Sequence, residues 1–278
     1  MRNRILANIP KLIFVGGYTK SGTTFIGRTL GLFNQVCAKG ELDYFRLFFK
    51  ELNALTDKYN TNIEYVNREI YDGKGSLDKV DETAMVRIHR AVFAELFKSG
   101  THVPEDSKFW VEKSPYNVRW AKSINFVFPT STIVAVYRDP VAVLRSNLRH
   151  LADHRQEELK NPNSPERQEF RQKFIRAWQD WVAHIENIRE RLVLVNYQRV
   201  VDDTQGFLGF AANNIFGEDL GLKAPIETLS KEYYLRKLEE DRRAKSLVQA
   251  DPGRLILSEE EASAVKKECH VPKLVFDF

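Results

Sequence analysis

Cysteine is scarce: Cys37 and Cys269 are the only two in 278 residues. One possible pair builds no disulfide framework, and no CxxC spacing offers a zinc site. That excludes a small stapled secreted module and makes a reducing compartment the expectation. Long hydrophobic runs are missing as well. The longest early one, Leu12 to Val15, falls far short of the ~20 residues that cross a bilayer. The basic start Met1-Arg2-Asn3-Arg4 is followed by no adequate hydrophobic region and no small-residue cleavage site. The expectation is a cytoplasmic protein without a membrane anchor. A strong excess of one charge is also absent: 42 basic against 38 acidic residues leaves +4. Nucleic-acid binders concentrate more positive charge, so a small anionic ligand fits this balance better. There is no internal repeat, no low-complexity tract and no segment with the composition of a linker. What is present is 43% hydrophobic and 29% charged residues, the balance of a soluble globular chain with a sizeable core.

Strand and helix patterns alternate along the chain. Lys11 to Val15 is a short apolar run rich in β-formers and predicts a buried strand. Gly16 to Gly22 breaks it, and Thr23 to Phe33 spaces Phe25, Ile26, Leu30 and Phe33 for one helix face. Glu41 to Tyr59 predicts an amphipathic helix, Asn60 to Lys79 a polar surface excursion, and Thr83 to Ser99 a second helix stopped by Gly100. Phe109 to Lys113 predicts a strand that turns at Ser114-Pro115. Thr132 to Tyr137 is a strong buried strand, followed by a helix from Val141 to His150 with Asp139 as N-cap and Pro140 at its first position. Glu166 to Leu192 reads as a long helix, Leu192 to Tyr197 as a further strand, and Ser258-Glu259-Glu260-Glu261 as a capping-box helix start. The alternation predicts an α/β fold, a parallel sheet with helices on both faces. A single domain over 1–278 is expected, with substrate-lid insertions around 44–108 and a C-terminal cap around 240–278.

Two segments carry chemistry. In the first, glycines at 16, 17 and 22 let the backbone approach a phosphate. The N–H groups and dipole of the following helix favour its charge, Lys20 adds a cation, and Thr23 and Thr24 add hydroxyls. The pattern is not GxxxxGK[ST], because the lysine precedes the last glycine by two positions. In the second, Arg138 stands at a strand's C-terminal end, where open α/β sheets bind ligands. A guanidinium grips phosphate oxygens in a fork, and Ser146 on the next helix can reach the same anion. Taken alone, Arg138 could equally be paired with an acid.

Together these segments resemble the sulfotransferases that use 3′-phosphoadenosine 5′-phosphosulfate (PAPS). Thr19-Lys20-Ser21-Gly22-Thr23-Thr24 is similar to that family's 5′-phosphosulfate loop, and Tyr137-Arg138-Asp139-Pro140 through Ser146 to its 3′-phosphate segment. Glu112-Lys113-Ser114-Pro115 resembles an E-K-[TS]-P element of bacterial and carbohydrate members. Gly40 to Phe45 sits where those enzymes carry an acid followed by aromatics. Val195 to Val200 and Gly253-Arg254 resemble later family segments. Phe25 stands where cytosolic animal relatives carry tryptophan, and Gln198 where the family carries glutamate. The resemblance implies sulfuryl transfer from PAPS to a hydroxyl or amine, without a metal, and a small-molecule acceptor such as a natural product. It implies donor contacts from Thr19, Lys20, Ser21, Gly22, Thr23, Thr24, Arg138, Ser146, Tyr197, Gly253 and Arg254. Lys20, Glu41 and Lys113 take the catalytic roles, Lys20 at the leaving phosphate oxygen and Glu41 as general base.

Alternatives stay open at this level. Glu41 could be an ordinary acid at a helix N-terminus, and Asp43 could be the base instead. Lys113 could serve only a structural ion pair with Glu112 or another acid. His89, His102, His150 and His154 are further candidate bases, with His89 set in a helical pattern. Phe45, Phe48 and Phe49 could line a pocket or pack the core. A P-loop kinase using ATP and Mg²⁺, or a nucleotide-binding protein without activity, are the competing classes.

Overall fold

The computed structural model describes residues 9–74, 77–99, 102–153, 157–223, 257–269 and 275–278. Its strands are β1 (Lys11–Gly17), β2 (Val36–Lys39), β3 (Phe109–Lys113), β4 (Thr132–Tyr137) and β5 (Val193–Asn196). Its α-helices are α1 (Thr23–Leu30), α2 (Lys50–Glu69), α3 (Glu82–Lys98), α4 (Ala121–Val127), α5 (Pro140–Asp153), α6 (Pro165–Asn187), α7 (Tyr197–Asp202), α8 (Thr204–Ala211) and α9 (Glu259–Glu268). The described strands form one parallel sheet of five in the order β2-β3-β1-β4-β5.

β1 lies at the centre because its side chains are apolar on both faces, as a strand covered from two sides requires. Leu12 and Phe14 enter one core layer with Phe93, Phe97 and Trp178. Ile13 and Val15 enter the other with Ile26, Phe207 and Leu208. The split follows the two-residue period of a strand. Phe14 touches Phe45, Phe93 and Phe128 with ring centroids 5.6–5.8 Å apart, and truncating such a ring to alanine costs about 3–5 kcal/mol. Register then fixes the functional edge. Val15 lies opposite Lys113, Gly17 opposite Val136, and Tyr137 opposite Asn196. The residues that follow β1, β3, β4 and β5 therefore emerge side by side at the C-terminal edge of the sheet.

Several expected boundaries move. α1 stops at Leu30 with Gly31 as its C-cap, so Phe33 lies beyond it. β2 was not anticipated. Residues 40–44 are not helical throughout: the chain leaves β2, turns through a π-helical stretch at Phe45–Phe49, and only then enters α2. The expected excursion at Asn60 to Lys79 is corrected, because α2 continues to Glu69. Tertiary bonds explain the extension. The Asn60 side chain both donates to Val80 O and accepts from Val80 N–H, Asn67 donates to Leu77 O, and Ile63 is buried. α3 has Ser99 as its C-cap, and Gly100 lies outside the described residues. α6 ends at Asn187, and a 3-10 turn at Arg189–Arg191 separates it from β5. The capping box of Ser258 and Glu261 forms as expected.

Glu261 has a second task. Its carboxylate receives the Arg167 guanidinium in a fork at 2.8 Å on each side, and Arg167 also donates to Leu159 O. Both partners are buried. The pair ties α9 to α6, the helix carrying Trp178 and Trp181, which are core residues as expected. Among the described residues, no helix is long and apolar enough to cross a membrane.

Candidate active site

The loop after β1 is shaped by lack of room. A Cβ on Gly17 would lie 2.5 Å from Ser21 Oγ and 2.6 Å from Val136 O. The turn closes when Ser21 N–H donates to Tyr18 O at 2.9 Å. Lys20 and Gly22 take φ of 70° and 101°. Gly22 is required twice over, since a Cβ there would meet Tyr197 Cδ2 at 2.2 Å in a backbone region that suits glycine. Ser21 is fully buried, and its hydroxyl has no hydrogen-bond partner among the described residues. The side chain is tucked under the loop, whereas Thr19 and Thr24 are exposed and Thr23 is buried at the helix start.

α1 begins with no side-chain cap and no acid in its first turn. By contrast α3, α6, α7, α8 and α9 are capped by Asp81, Ser164, Asn196, Asp203 and Ser258. The first N–H groups of a helix have no intrahelical acceptor. The positive end of the helix dipole follows directly on the loop that carries the half-buried Lys20, an arrangement that attracts an anion.

The neighbouring strand end supplies the polar cluster. Lys113 is buried at the end of β3, and its Nζ lies 2.5 Å from Glu41 Oε1. The acid that pairs with Lys113 is thus Glu41, not Glu112, because strand alternation sends Glu112 to the opposite face. Glu41 itself is half exposed at 49% of its side chain. Lys20 belongs to the same cluster. Burial lowers its pKa below the usual lysine value, Glu41 pushes it back up, and Lys113 lowers it. Asp43, the alternative base, is held at 2.5 Å by Arg46.

Glu112 lies beneath. It is 2% exposed and accepts from Leu42 N–H at 3.0 Å, Ser114 Oγ at 2.6 Å and Asn117 Nδ2 at 2.6 Å. Burial pushes its pKa up, and these donors pull it down.

Beyond β4, Arg138 donates to Lys20 O at 3.2 Å and stacks over Tyr197 with its guanidinium carbon 4.7 Å from the ring centroid. Among the described residues its partners are therefore a loop carbonyl and an aromatic face, not a carboxylate. Tyr197 opens α7, set by the Asn196 cap, and meets Phe25 edge-on at 5.7 Å. Ser146 is half-buried on α5. Its neighbour Asn147 donates to Thr19 O at 3.4 Å, a contact that no pattern in the sequence singled out. Gly253, Arg254 and His154 lie outside the described residues.

The histidines part company with this edge. His89 is buried against Tyr44 Oη at 2.8 Å and Asn53 Oδ1 at 3.2 Å, and burial lowers its pKa to about 4. It is a neutral core residue. His102 lies in the segment entering β3 from the opposite sheet edge, and His150 is exposed late in α5. Of the phenylalanines, Phe45 is buried, Phe49 half-buried and Phe48 exposed.

Lys20, Glu41 and Lys113 thus meet beside an uncapped helix, and Arg138 and Tyr197 close the other side of the same loop. Residues 10–209 match the Sulfotransferase family. The chain belongs to the sulfotransferase family. A Caenorhabditis briggsae protein described as "Putative protein-tyrosine sulfotransferase" is 24% identical over 197 residues, covering 71% of this chain and 62% of that protein. Among solved structures, a sulfotransferase from Alicyclobacillus acidocaldarius has a TM-score of 0.49 at 15% identity, covering 88% of this chain and 98% of that one. A sulfotransferase from Mycobacterium avium has a TM-score of 0.46 at 14% identity, covering 95% and 77%.

Proposed function

We propose that this sulfotransferase draws its sulfuryl group from PAPS and delivers it to a hydroxyl or amine of a small-molecule acceptor, a natural product, with Glu41 as general base. The observation that carries this reading is the convergence of Lys20, Glu41 and Lys113 at the uncapped start of α1. The residues present fit a bisphosphorylated donor. The first turn of α1 with Lys20, Gly22, Thr23 and Thr24 suits a 5′-phosphate; Arg138 and Ser146 suit a 3′-phosphate, and Tyr197 offers a ring beside both. Thr19 and Ser21 shape the loop between them, and Gly253 and Arg254 would add to the donor site.

The donor supplies the sulfuryl group and a phosphate leaving group. Glu41 takes the proton that the acceptor loses as it attacks, an effect typically worth ~10²–10⁴-fold. Lys113 orients that carboxylate through the 2.5 Å pair. Lys20 provides positive charge where the leaving oxygen gains negative charge, the main requirement of such group transfers. The insertion 44–108 leaves the sheet directly after Glu41, which suits a lid over the acceptor, and 240–278 would form a C-terminal cap. A cytoplasmic location is part of the same proposal.

The test is transfer of labelled sulfate from PAPS to a panel holding 2-naphthol, tyramine and a tyrosine peptide. The account expects turnover with a small acceptor and a loss of about 10²-fold or more in Glu41→Gln. Full activity in Glu41→Gln, or phosphoryl transfer from ATP with no sulfate transfer from PAPS, would sink it. The match to the C. briggsae protein favours a second reading for the acceptor, a protein tyrosine; turnover of the peptide alone would select it.

A further inference from the structure

Glu112 faces away from Lys113 on β3, yet it is the buried acid nearest the cluster in the chain. The register pairs Lys39, the last residue of β2, with Glu112. The chain leaving β2 toward Glu41 therefore passes over this carboxylate, and Leu42 N–H binds it at 3.0 Å. Ser114 Oγ donates to the same oxygen at 2.6 Å and accepts from Asp43 N–H at 3.1 Å. The other oxygen takes Asn117 Nδ2 at 2.6 Å, and that same amide also donates to Val15 O at 3.1 Å, in the strand that leads into the Lys20 loop. Each of the three groups bonded to the carboxylate is a donor, so the site is built for an acceptor and not for an amide. Glu41 is flanked by Leu42 and Asp43 on one side, and its partner Lys113 is the residue after Glu112. Both members of the pair thus take their position from one buried group.

We infer that Glu112 is a positioning residue, a buried clamp that sets the place of Glu41 relative to Lys113 and the phosphate loop. It touches no reacting atom. The inference rests on the reading of Glu41 as the base and deepens it by naming what holds that base. Outer-shell partners of this kind act through geometry, and displacing a reacting group by about 1 Å can cost 10²-fold in rate.

The experiment compares Glu112→Gln and Ser114→Ala, alone and combined with Glu41→Gln, in the full chain. The readouts are kcat with the best acceptor of the panel above, affinity for 3′-phosphoadenosine 5′-phosphate, and hydrogen exchange at the Leu42 and Asp43 amides. Glu112→Gln is expected to lower kcat roughly 10- to 100-fold, with nucleotide affinity unchanged and faster exchange at both amides. Ser114→Ala is expected to do the same more weakly, chiefly at Asp43. With Glu41 already replaced, neither change lowers kcat further. The inference is overturned if the losses multiply in full on the Glu41→Gln background, or if exchange at Leu42 and Asp43 stays as in the parent. Should Glu112→Gln not fold, Ser114→Ala decides by the same criteria. If Glu41→Gln alone leaves kcat intact, the base assignment falls, and unchanged exchange then removes the clamp as well.

Discussion

Arg138 sits over the Tyr197 ring, 4.7 Å from guanidinium carbon to ring centroid, while its Nη1 donates to the carbonyl of Lys20 at 3.2 Å. The ends of β4 and β5 and the loop after β1 are joined through these two side chains. Tyr197 also fills the space that a Cβ on Gly22 would need. Replacing Tyr197 by leucine removes the stacking partner of Arg138, worth ~0.5–2 kcal/mol. Calorimetry should show binding of 3′-phosphoadenosine 5′-phosphate weakened by that amount. Unaltered affinity would mean that the ring serves packing alone.

Lys20 predicts a pH dependence of binding. Burial lowers its pKa from 10.5, and a bound phosphate favours the ammonium. Affinity should therefore fall as pH rises through the lysine's own pKa, below the usual lysine range. In Lys20→Arg the charge persists, so the alkaline fall should flatten. The check is a series of dissociation constants from about pH 7 to about pH 10. Parallel curves for the two proteins would contradict the assignment.

His89 predicts a pH dependence of stability with the opposite direction. Its pKa is lowered from 6.5 to about 4 by burial, so the unfolded chain binds the proton first as pH falls. Stability is lost progressively between about 6.5 and about 4 and is level below. At ~1.36 kcal/mol per pKa unit the loss from this group is about 3 kcal/mol. Denaturant titrations of the parent and His89→Gln should converge toward the acid end of that window. An equal slope in both proteins would show that other groups carry the effect.

The Arg167–Glu261 fork predicts a change in stability that spares binding. Glu261→Ala leaves the guanidinium buried without its carboxylate, which costs about 3–5 kcal/mol, and it removes the capping box as well. The melting temperature should drop, while the folded fraction keeps its nucleotide affinity. The double change Arg167→Met with Glu261→Leu should recover much of the loss. A single variant as stable as the parent would show the pair to be dispensable.

Much of the sheet and the glycine-rich turn after β1 was legible because apolar runs ended by glycine or by Arg-Asp-Pro have few other outcomes. β2 was not, since Val36 to Lys39 is short and alternates buried with half-buried and exposed residues. α2 ran on past Tyr59 because Asn60 and Asn67 bond to backbone at Val80 and Leu77; polar residues look like a loop until their partners are known. In the site, Lys20, Lys113 and Arg138 stood out as charges at or just after strand ends, whereas Glu41 was read at a helix start and took its role from the family resemblance. Which acid pairs with Lys113 followed only from the side to which β3 turns each residue. Asn147 and the Leu42 N–H bond to Glu112 were hidden because these contacts join segments distant in sequence.

The central claim is that two anion cradles, the start of α1 and Arg138 with Ser146, hold the two phosphates of one nucleotide. Calorimetric titration with 3′-phosphoadenosine 5′-phosphate and adenosine 5′-phosphate, on the parent and on Arg138→Ala, tests it most directly. The account predicts that the parent prefers the bisphosphate by about 1.5–3 kcal/mol, the worth of hydrogen bonds to a charged group, and that Arg138→Ala erases the preference. Equal affinity of the parent for both nucleotides, or a preference that survives loss of the guanidinium, would contradict it.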